Sequence, residues 1–320
     1  MHSTHQSELR GRAMLIDFVP EMIRRQAEKV IGPTSEWRLA SSTNSQVWRV
    51  QAESGAMSVK LLTDTSSDAW VERRLFAELG TRHTRPILEI VDLGEGAQLV
   101  IAPFLDGELV ADRLQRAPVP ADLGRALADQ YQEVLASISR LPLRASGYGR
   151  VGSGHAGRNA RWSHALKAYL EEQRMKGPRT SALRHAVLSA ALERISDRLD
   201  TECGQPRVIP TDVNARNFLI TDPGRMLVAL SFPVIWQGDP AMPFGALQLH
   251  LDDTPIAAAL AVGPWPQWRV HFYAAYHAFV ICVYVERFAQ ISLDEATPWG
   301  RSRPLLDLFD IHLRLMEKTL

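Results

Sequence analysis

Asp212 and Asn217 stand five residues apart in Val208-Ile209-Pro210-Thr211-Asp212-Val213-Asn214-Ala215-Arg216-Asn217-Phe218-Leu219-Ile220, a tight loop between two short apolar runs of strand type. An aspartate so placed can take the proton of an attacking hydroxyl, and an asparagine on the same loop can reach a magnesium ion bridging nucleotide phosphates. The spacing alone says little, because two common residue types often meet at that interval. Its setting adds the signal. Thr221-Asp222-Pro223-Gly224 is a turn, Met226 to Leu230 a second apolar run, and Gly238-Asp239-Pro240 follows. Strand, Pro-Gly turn and strand read as a hairpin directly behind the loop.

Further candidates lie upstream. In Met57-Ser58-Val59-Lys60-Leu61 a period of two places Met57, Val59 and Leu61 on one face of a strand and Ser58 with Lys60 on the other. A lysine aimed from a strand interior needs a partner. Glu72 offers one, on a helical pattern capped by Asp68, carrying Leu75, Phe76 and Leu79 and ending at Gly80. Either residue alone would read as an ordinary surface charge. The neighbouring elements change that balance.

Those elements begin at Pro20, which opens a helical stripe of Ile23, Ala27, Val30 and Ile31 stopped by Gly32-Pro33. Strand signals follow at Trp37 and Leu39, at Val47, Trp48 and Val50 beyond the polar turn Ser41 to Ser45, at Ile87 to Val91 and at Gln98 to Ile101. With the Lys60 strand they make a five-stranded lobe, which Ala102-Pro103-Phe104-Leu105-Asp106-Gly107 closes. Leu123, Leu127, Tyr131, Val134, Leu135 and Ile138 then mark a long amphipathic helix ending at Leu141-Pro142. Further helical patterns run from Trp162 to Arg174 and from Ser181 to Leu199. Phe272 to Val285 reads as a core helix, since His277 interrupts it and a bilayer span needs about 20 residues.

From about Trp37 to Pro240 this pattern resembles the aminoglycoside phosphotransferase and choline kinase-like family. The resemblance implies an α+β, two-lobed protein kinase-like fold: a small five-stranded antiparallel N-terminal lobe with a helix over residues 1–103, and a larger, mainly helical lobe over residues 104–320. It implies ATP and Mg2+ as cofactors. Lys60, held by Glu72, would grip the phosphates; Asp212 would act on the acceptor hydroxyl; Asn217 would hold the metal. Backbone groups near Ala102 and Phe104 would bind adenine, and the glycine-free turn with Ser42, Thr43 and Asn44 would cover the phosphates. Three positions depart from the family pattern: Pro210 replaces the loop histidine, Ser231 falls where the metal-binding aspartate belongs, and Pro243 falls near the aspartate that follows Gly-Asp-Pro. A neutral serine oxygen in place of a carboxylate implies weakened magnesium binding.

Composition limits the rest. Of 320 residues, 46% are apolar, and 36 Lys and Arg balance 36 Asp and Glu, so no nucleic-acid or membrane-surface partner is expected. Residues 1–13 read as a polar, disordered lead, and Met1 to Glu8 lack the basic start and apolar core of a signal peptide. Cys203 and Cys282 fit no metal spacing, and a reducing cytoplasm is the simplest location. The glycine-rich stretch Gly147 to Gly157 contains G-x-G-x-x-G twice without the strand and βαβ unit of a dinucleotide fingerprint, and reads as a flexible loop. Between Arg144 and Arg184 basic residues outnumber acids, which suits either a solvated face or an anionic ligand. Two functions stay open. One is an ATP-dependent phosphotransferase acting on a hydroxyl of a small molecule or of a peptide Ser/Thr. The other is a pseudokinase that serves as a binding module for a partner enzyme.

Overall fold

The computed structural model describes residues 19–41, 46–63, 69–142, 146–152, 155–176, 182–221, 226–232, 234–286 and 303–320. Ser42, Thr43, Asn44, Asp68 and the Asp222-Pro223-Gly224 turn lie outside them. The chain divides into two compact units, Met1–Asp106 and Gly107–Leu320.

The first unit is built on five strands: β1 (Thr34–Ser41), β2 (Gln46–Ala52), β3 (Gly55–Leu62), β4 (Glu89–Gly94) and β5 (Ala97–Pro103). They pair antiparallel throughout, in the order β1-β2-β3-β5-β4. Helix α1 (Glu21–Ile31) begins after Pro20 and ends at Gly32, whose φ of 78° suits a residue without a Cβ. Ile23 and Ala27 of α1 share a core with Trp48, Val50, Val59, Leu99 and Ile101, the residues that alternation assigns to one face of the sheet. The other face is buried as well, through Ser58, Lys60, Leu62, Val100 and Ala102. Helix α2 (Ala69–Leu79) turns Glu72, Leu75 and Phe76 inward. The surface reading of Lys60 and Glu72 therefore fails.

The second unit holds the helices α3 (Val110–Arg116), α4 (Ala121–Ser139), α5 (Trp162–Lys176), α6 (Ala182–Cys203), α7 (Met242–His250), α8 (Pro255–Leu260), α9 (Gln267–Tyr284) and α10 (Leu305–Thr319). Two small sheets run among them. Strands β6 (Glu108–Leu109), β10 (Phe218–Thr221) and β11 (Met226–Ala229) form one, in the order β11-β10-β6. The other is β8-β7-β12-β9, from β7 (Gly149–Gly152), β8 (His155–Ala156), β9 (Arg207–Pro210) and β12 (Ile235–Gly238). Buried residues of α4 recur every three or four positions from Leu123 to Ile138, as an amphipathic helix requires. Helix α9 is buried on most of its circumference and packs against α7 and α10. Among the described residues no helix is long and apolar enough to cross a membrane.

One expectation is corrected here. The glycine-rich stretch is not a flexible loop: β7 pairs with β12 and with β8, and the backbone passes so close at Gly147 that an added Cβ would lie 2.4 Å from the Gly157 carbonyl oxygen. Glycines are there because two backbones share the space. The basic stretch is partly neutralised by acids beyond the counted window. Lys167 pairs with Glu193 at 2.6 Å and Arg161 with Asp197 at 3.8 Å, both across to α6, while Arg174 takes Glu171 at 2.7 Å. A solvated, paired face is the physical outcome.

Candidate functional site

In the second unit, β9 and β12 run antiparallel with Ile235 opposite Pro210 and Gly238 opposite Arg207. Pro210, which departs from the family pattern, ends β9 and is buried. The Thr211 N–H then donates to the Val234 carbonyl at 3.1 Å, so the chain leaves the sheet from a fixed point. Asp212 follows, partly exposed.

Its carboxylate accepts a hydrogen bond from Asn214 Nδ2 at 2.7 Å on Oδ1. Asn214 also caps the single 3-10 turn Ala215–Asn217, its own Oδ1 accepting from the Arg216 N–H at 2.9 Å. Asn217 closes the loop by donating from Nδ2 to the Asp212 carbonyl oxygen at 2.8 Å. That bond uses one of the two amide protons, and the Asn217 Oδ1 is the atom suited to face a cation. Asp212 and Asn217 are thus brought together, backbone to side chain.

Behind the loop, β10 and β11 form the expected hairpin, with Phe218 opposite Ala229. The Leu230 N–H donates to the Asn217 carbonyl at 2.8 Å, one step beyond the last strand pair. The hairpin therefore delivers Ser231, 7% exposed, beside the end of the catalytic-type loop. A carboxylate there would sit next to Asn217; a serine supplies a neutral hydroxyl. Among the described residues no group of three or more His, Cys, Asp or Glu comes together as a metal site. Asn217 and Ser231 offer two neutral oxygens, and magnesium is ordinarily held by one or two carboxylates with substrate phosphates. The residues present do not fit the ion.

Asp239 cannot take Ser231's place. It is fully buried and engaged on every side: Arg269 donates from Nε to Oδ2 at 3.1 Å and from Nη2 to Oδ1, Tyr273 donates its hydroxyl proton to Oδ2 at 2.6 Å, and the Ala241 N–H binds Oδ1 at 2.9 Å. Trp162 Nε1 donates in turn to the Tyr273 oxygen at 2.6 Å. Burial opposes the charge on Arg269, but Asp239 more than offsets it and holds the guanidinium pKa above its usual range. Just before it, Gly238 leaves no room for a side chain, since an added Cβ would lie 2.5 Å from the Trp162 ring. Pro243, the third departure, is the second residue of α7, within the first turn where a missing N–H costs no helical hydrogen bond.

In the first unit, Lys60 is 9% exposed at the middle of β3, opposite Val47 on β2 and Val100 on β5, and Glu72 is 3% exposed on α2. Charges this buried are held by partners. Ala102 is fully buried and opposes Ser58. The Phe104 N–H is already given to the Ala56 carbonyl at 2.9 Å, so Phe104 offers a base its carbonyl and its ring, over which Arg49 lies at 5.2 Å.

Asn214 and Arg269 were not singled out from the sequence. Asn214 had a local signal, a good capping residue just ahead of the turn. Arg269 lies far beyond Asp239 in the chain and had none.

Comparison with known proteins can now be set beside this geometry. Residues 36–229 match the model of the phosphotransferase enzyme family. A crystal structure of a thermostable mutant of aminoglycoside phosphotransferase APH(4)-Ia, in ternary complex with ADP and hygromycin B, superposes with a TM-score of 0.67 at 14% identity, over 92% of this chain and 97% of that one. Choline kinase LicA from Streptococcus pneumoniae gives a TM-score of 0.63 at 11% identity, over 93% and 98%. The GDP and kanamycin complex of an APH(2")-type enzyme gives 0.61 at 11% identity, over 90% and 93%. These likenesses establish the kinase-like fold. A sequence comparison with curated proteins finds no significant match. The family model spans more than half of the chain, so the protein belongs to the phosphotransferase enzyme family.

Proposed function

We propose that the protein transfers the γ-phosphoryl group of ATP to a hydroxyl of a small molecule. The observation that carries this reading is the Asp212 loop: a carboxylate partly open to solvent, fixed at Oδ1 by Asn214 and anchored through its own carbonyl by Asn217. On this reading the Asp212 carboxylate meets the acceptor hydroxyl. The acceptor O–H bond breaks toward Asp212, the acceptor oxygen bonds to the γ-phosphorus, and the bond to the bridging oxygen breaks to release ADP. Lys60 and Glu72 serve the nucleotide phosphates in the first unit. The small-molecule acceptor is supported by structural neighbours whose complexes hold hygromycin B and kanamycin. A peptide acceptor draws less support, because acids of α6 already engage Arg161 and Lys167 of the basic stretch.

Calorimetric titration with ATP, with and without magnesium, tests the reading directly. Binding is expected in both conditions with only a small gain from magnesium, given the neutral oxygens at Asn217 and Ser231. Absence of binding in either condition would defeat it.

A pseudokinase is the second reading, motivated by Ser231, Pro210, Pro243 and the glycine-free turn of Ser42, Thr43 and Asn44. The variant S231D separates the two. A metal-stabilised transition state gains several kcal/mol, so restoring the carboxylate should raise transfer by about a thousandfold, or ~4 kcal/mol, and make nucleotide binding depend on magnesium. No gain in ADP release would count for the pseudokinase.

A further inference from the structure

The seam between α9 and α10 holds two histidines that phosphoryl transfer does not use. His271 lies near the start of α9 and His312 in the middle of α10. Their Nδ1 atoms face each other at 3.1 Å, with ring centroids 5.3 Å apart and ring planes inclined by 31°. His312 is 2% exposed and its buried Nε2 has no hydrogen-bond partner, whereas His271 is partly exposed. The same two helices otherwise put apolar residues, among them Phe272, Ala275, Leu308 and Met316, into one core.

Only one proton fits between two nitrogens at that distance, so two neutral rings must take opposite roles there, one donating and the other accepting. Two apolar side chains would fill the seam without leaving the His312 Nε2 buried and unpaired. A metal ion uses the pair differently. Neutral imidazole is the commonest protein ligand for metals. Burial holds both rings below the usual histidine pKa, so both are neutral near pH 7. With metal–nitrogen bonds of about 2.0–2.1 Å, nitrogens 3.1 Å apart subtend an angle of about 100° at the ion, between the square-planar and tetrahedral values. His271, being partly exposed, can turn its ring onto the ion and leaves an entry path, with water in the remaining positions. The fixed cation that acts on His312, Arg303, is itself taken up by Asp253 at 2.7 Å and Asp252 at 3.4 Å.

We propose that His271 and His312 form a two-imidazole site for a divalent first-row transition ion, Zn2+ or Cu2+, that clasps α9 to α10. At 3.6 residues per turn, His271 lies about 200° round α9 from both Arg269 and Tyr273, the residues that hold Asp239. The ion therefore braces the opposite face of the helix that anchors Asp239, whether or not the chain transfers phosphate.

The test is a calorimetric titration of the full chain with ZnCl2 near pH 7, without nucleotide, beside thermal midpoints with and without the ion. His2 and His5 stand by the N-terminus and bind metal on their own account, so every measurement is made on H2A/H5A protein. One equivalent should bind and raise the midpoint. H271Q should weaken binding by about tenfold or more, at least what losing an outer-shell partner costs, and abolish the rise. With Cu2+ in place of Zn2+, electron paramagnetic resonance should show coupling to two imidazole nitrogens, falling to one in H271Q. No binding overturns the site, and so do binding and a midpoint rise that persist in H271Q. Coupling to a single nitrogen without the H271Q change assigns the ion to a lone surface histidine and overturns it equally. If H271Q lowers the ion-free midpoint while the ion has no effect on either protein, the pair is a structural hydrogen bond only. Should H271Q not fold, the nitrogen count in the H2A/H5A protein decides alone.

Discussion

Asp212 and Asp239 follow the two strands β9 and β12, which pair antiparallel, so the two aspartates emerge at opposite ends of the same ladder. At one end Asp239 is fully buried and takes hydrogen bonds from Arg269, Tyr273 and the Ala241 backbone. At the other, Asp212 is partly exposed and its side chain is steered by Asn214 at 2.7 Å. A carboxylate whose lone pairs are all engaged holds structure together, whereas one partly exposed to solvent can take a proton. Under the proposed function the ladder separates anchoring from chemistry, and each end can be broken without the other.

The largest effect is expected at the open end. D212N keeps the size of the side chain and removes its basicity, so phosphoryl transfer should fall by about 10³-fold, within the range of general-base catalysis. The thermal midpoint should barely move. Equal rates for the variant and the unaltered protein would remove Asp212 from the mechanism.

D239N should do the reverse. It leaves Arg269 buried beside a neutral amide, and removing one partner of a buried ion pair costs about 3–5 kcal/mol. Urea denaturation would read this as a lower midpoint at unchanged slope. Transfer measured well below that midpoint should keep most of its rate. A stable D239N with impaired transfer would show that the two ends are not separate.

The sequence carried the open end better than the anchored one. Asp212, Asn217 and the hairpin lie within one short stretch, where turn residues and alternation are local signals. The five strands of the first unit were readable for the same reason, although β4 begins at Glu89 and not Ile87, because Leu88 is where pairing with β5 takes hold. Asp239 meets Arg269 only through the packing of α9, a contact that no periodicity reports. The glycines from 147 to 157 failed for a related reason: their use is set by a strand, β12, some 80 residues later. Local chemistry is legible, and partners supplied by tertiary packing are not.

Acid should weaken the anchored region further. Burial pulls His250 down to about 3, with His277 adding to it, and pulls His277 down to about 4; His312 lies at about 3 through burial, His271 and Arg303. Unfolded, each would titrate near 6.5. Above that pH both states are neutral and nothing is contributed. Below it the unfolded chain takes up protons that the folded one refuses, so stability falls as pH drops from 6.5 toward 4 and 3. Each histidine contributes a slope of up to about 1.4 kcal/mol per pH unit. Urea midpoints that stay level between pH 7 and pH 5 would contradict this.

The smallest and sharpest effect belongs to Asn214, which serves both stability and chemistry through different atoms. Its Oδ1 caps the 3-10 turn, and its Nδ2 donates to Asp212. N214A loses both, so stability should drop by about 1 kcal/mol, as for a lost cap, and transfer should slow by about tenfold, one hydrogen bond's worth. N214D restores the acceptor but sets a carboxylate against Asp212. Its midpoint should recover toward the unaltered value while its transfer rate falls below that of N214A, since like charges disfavour the ionised base. If N214D recovered both properties together, the bond to Asp212 would be incidental and the loop would be held by its turn alone.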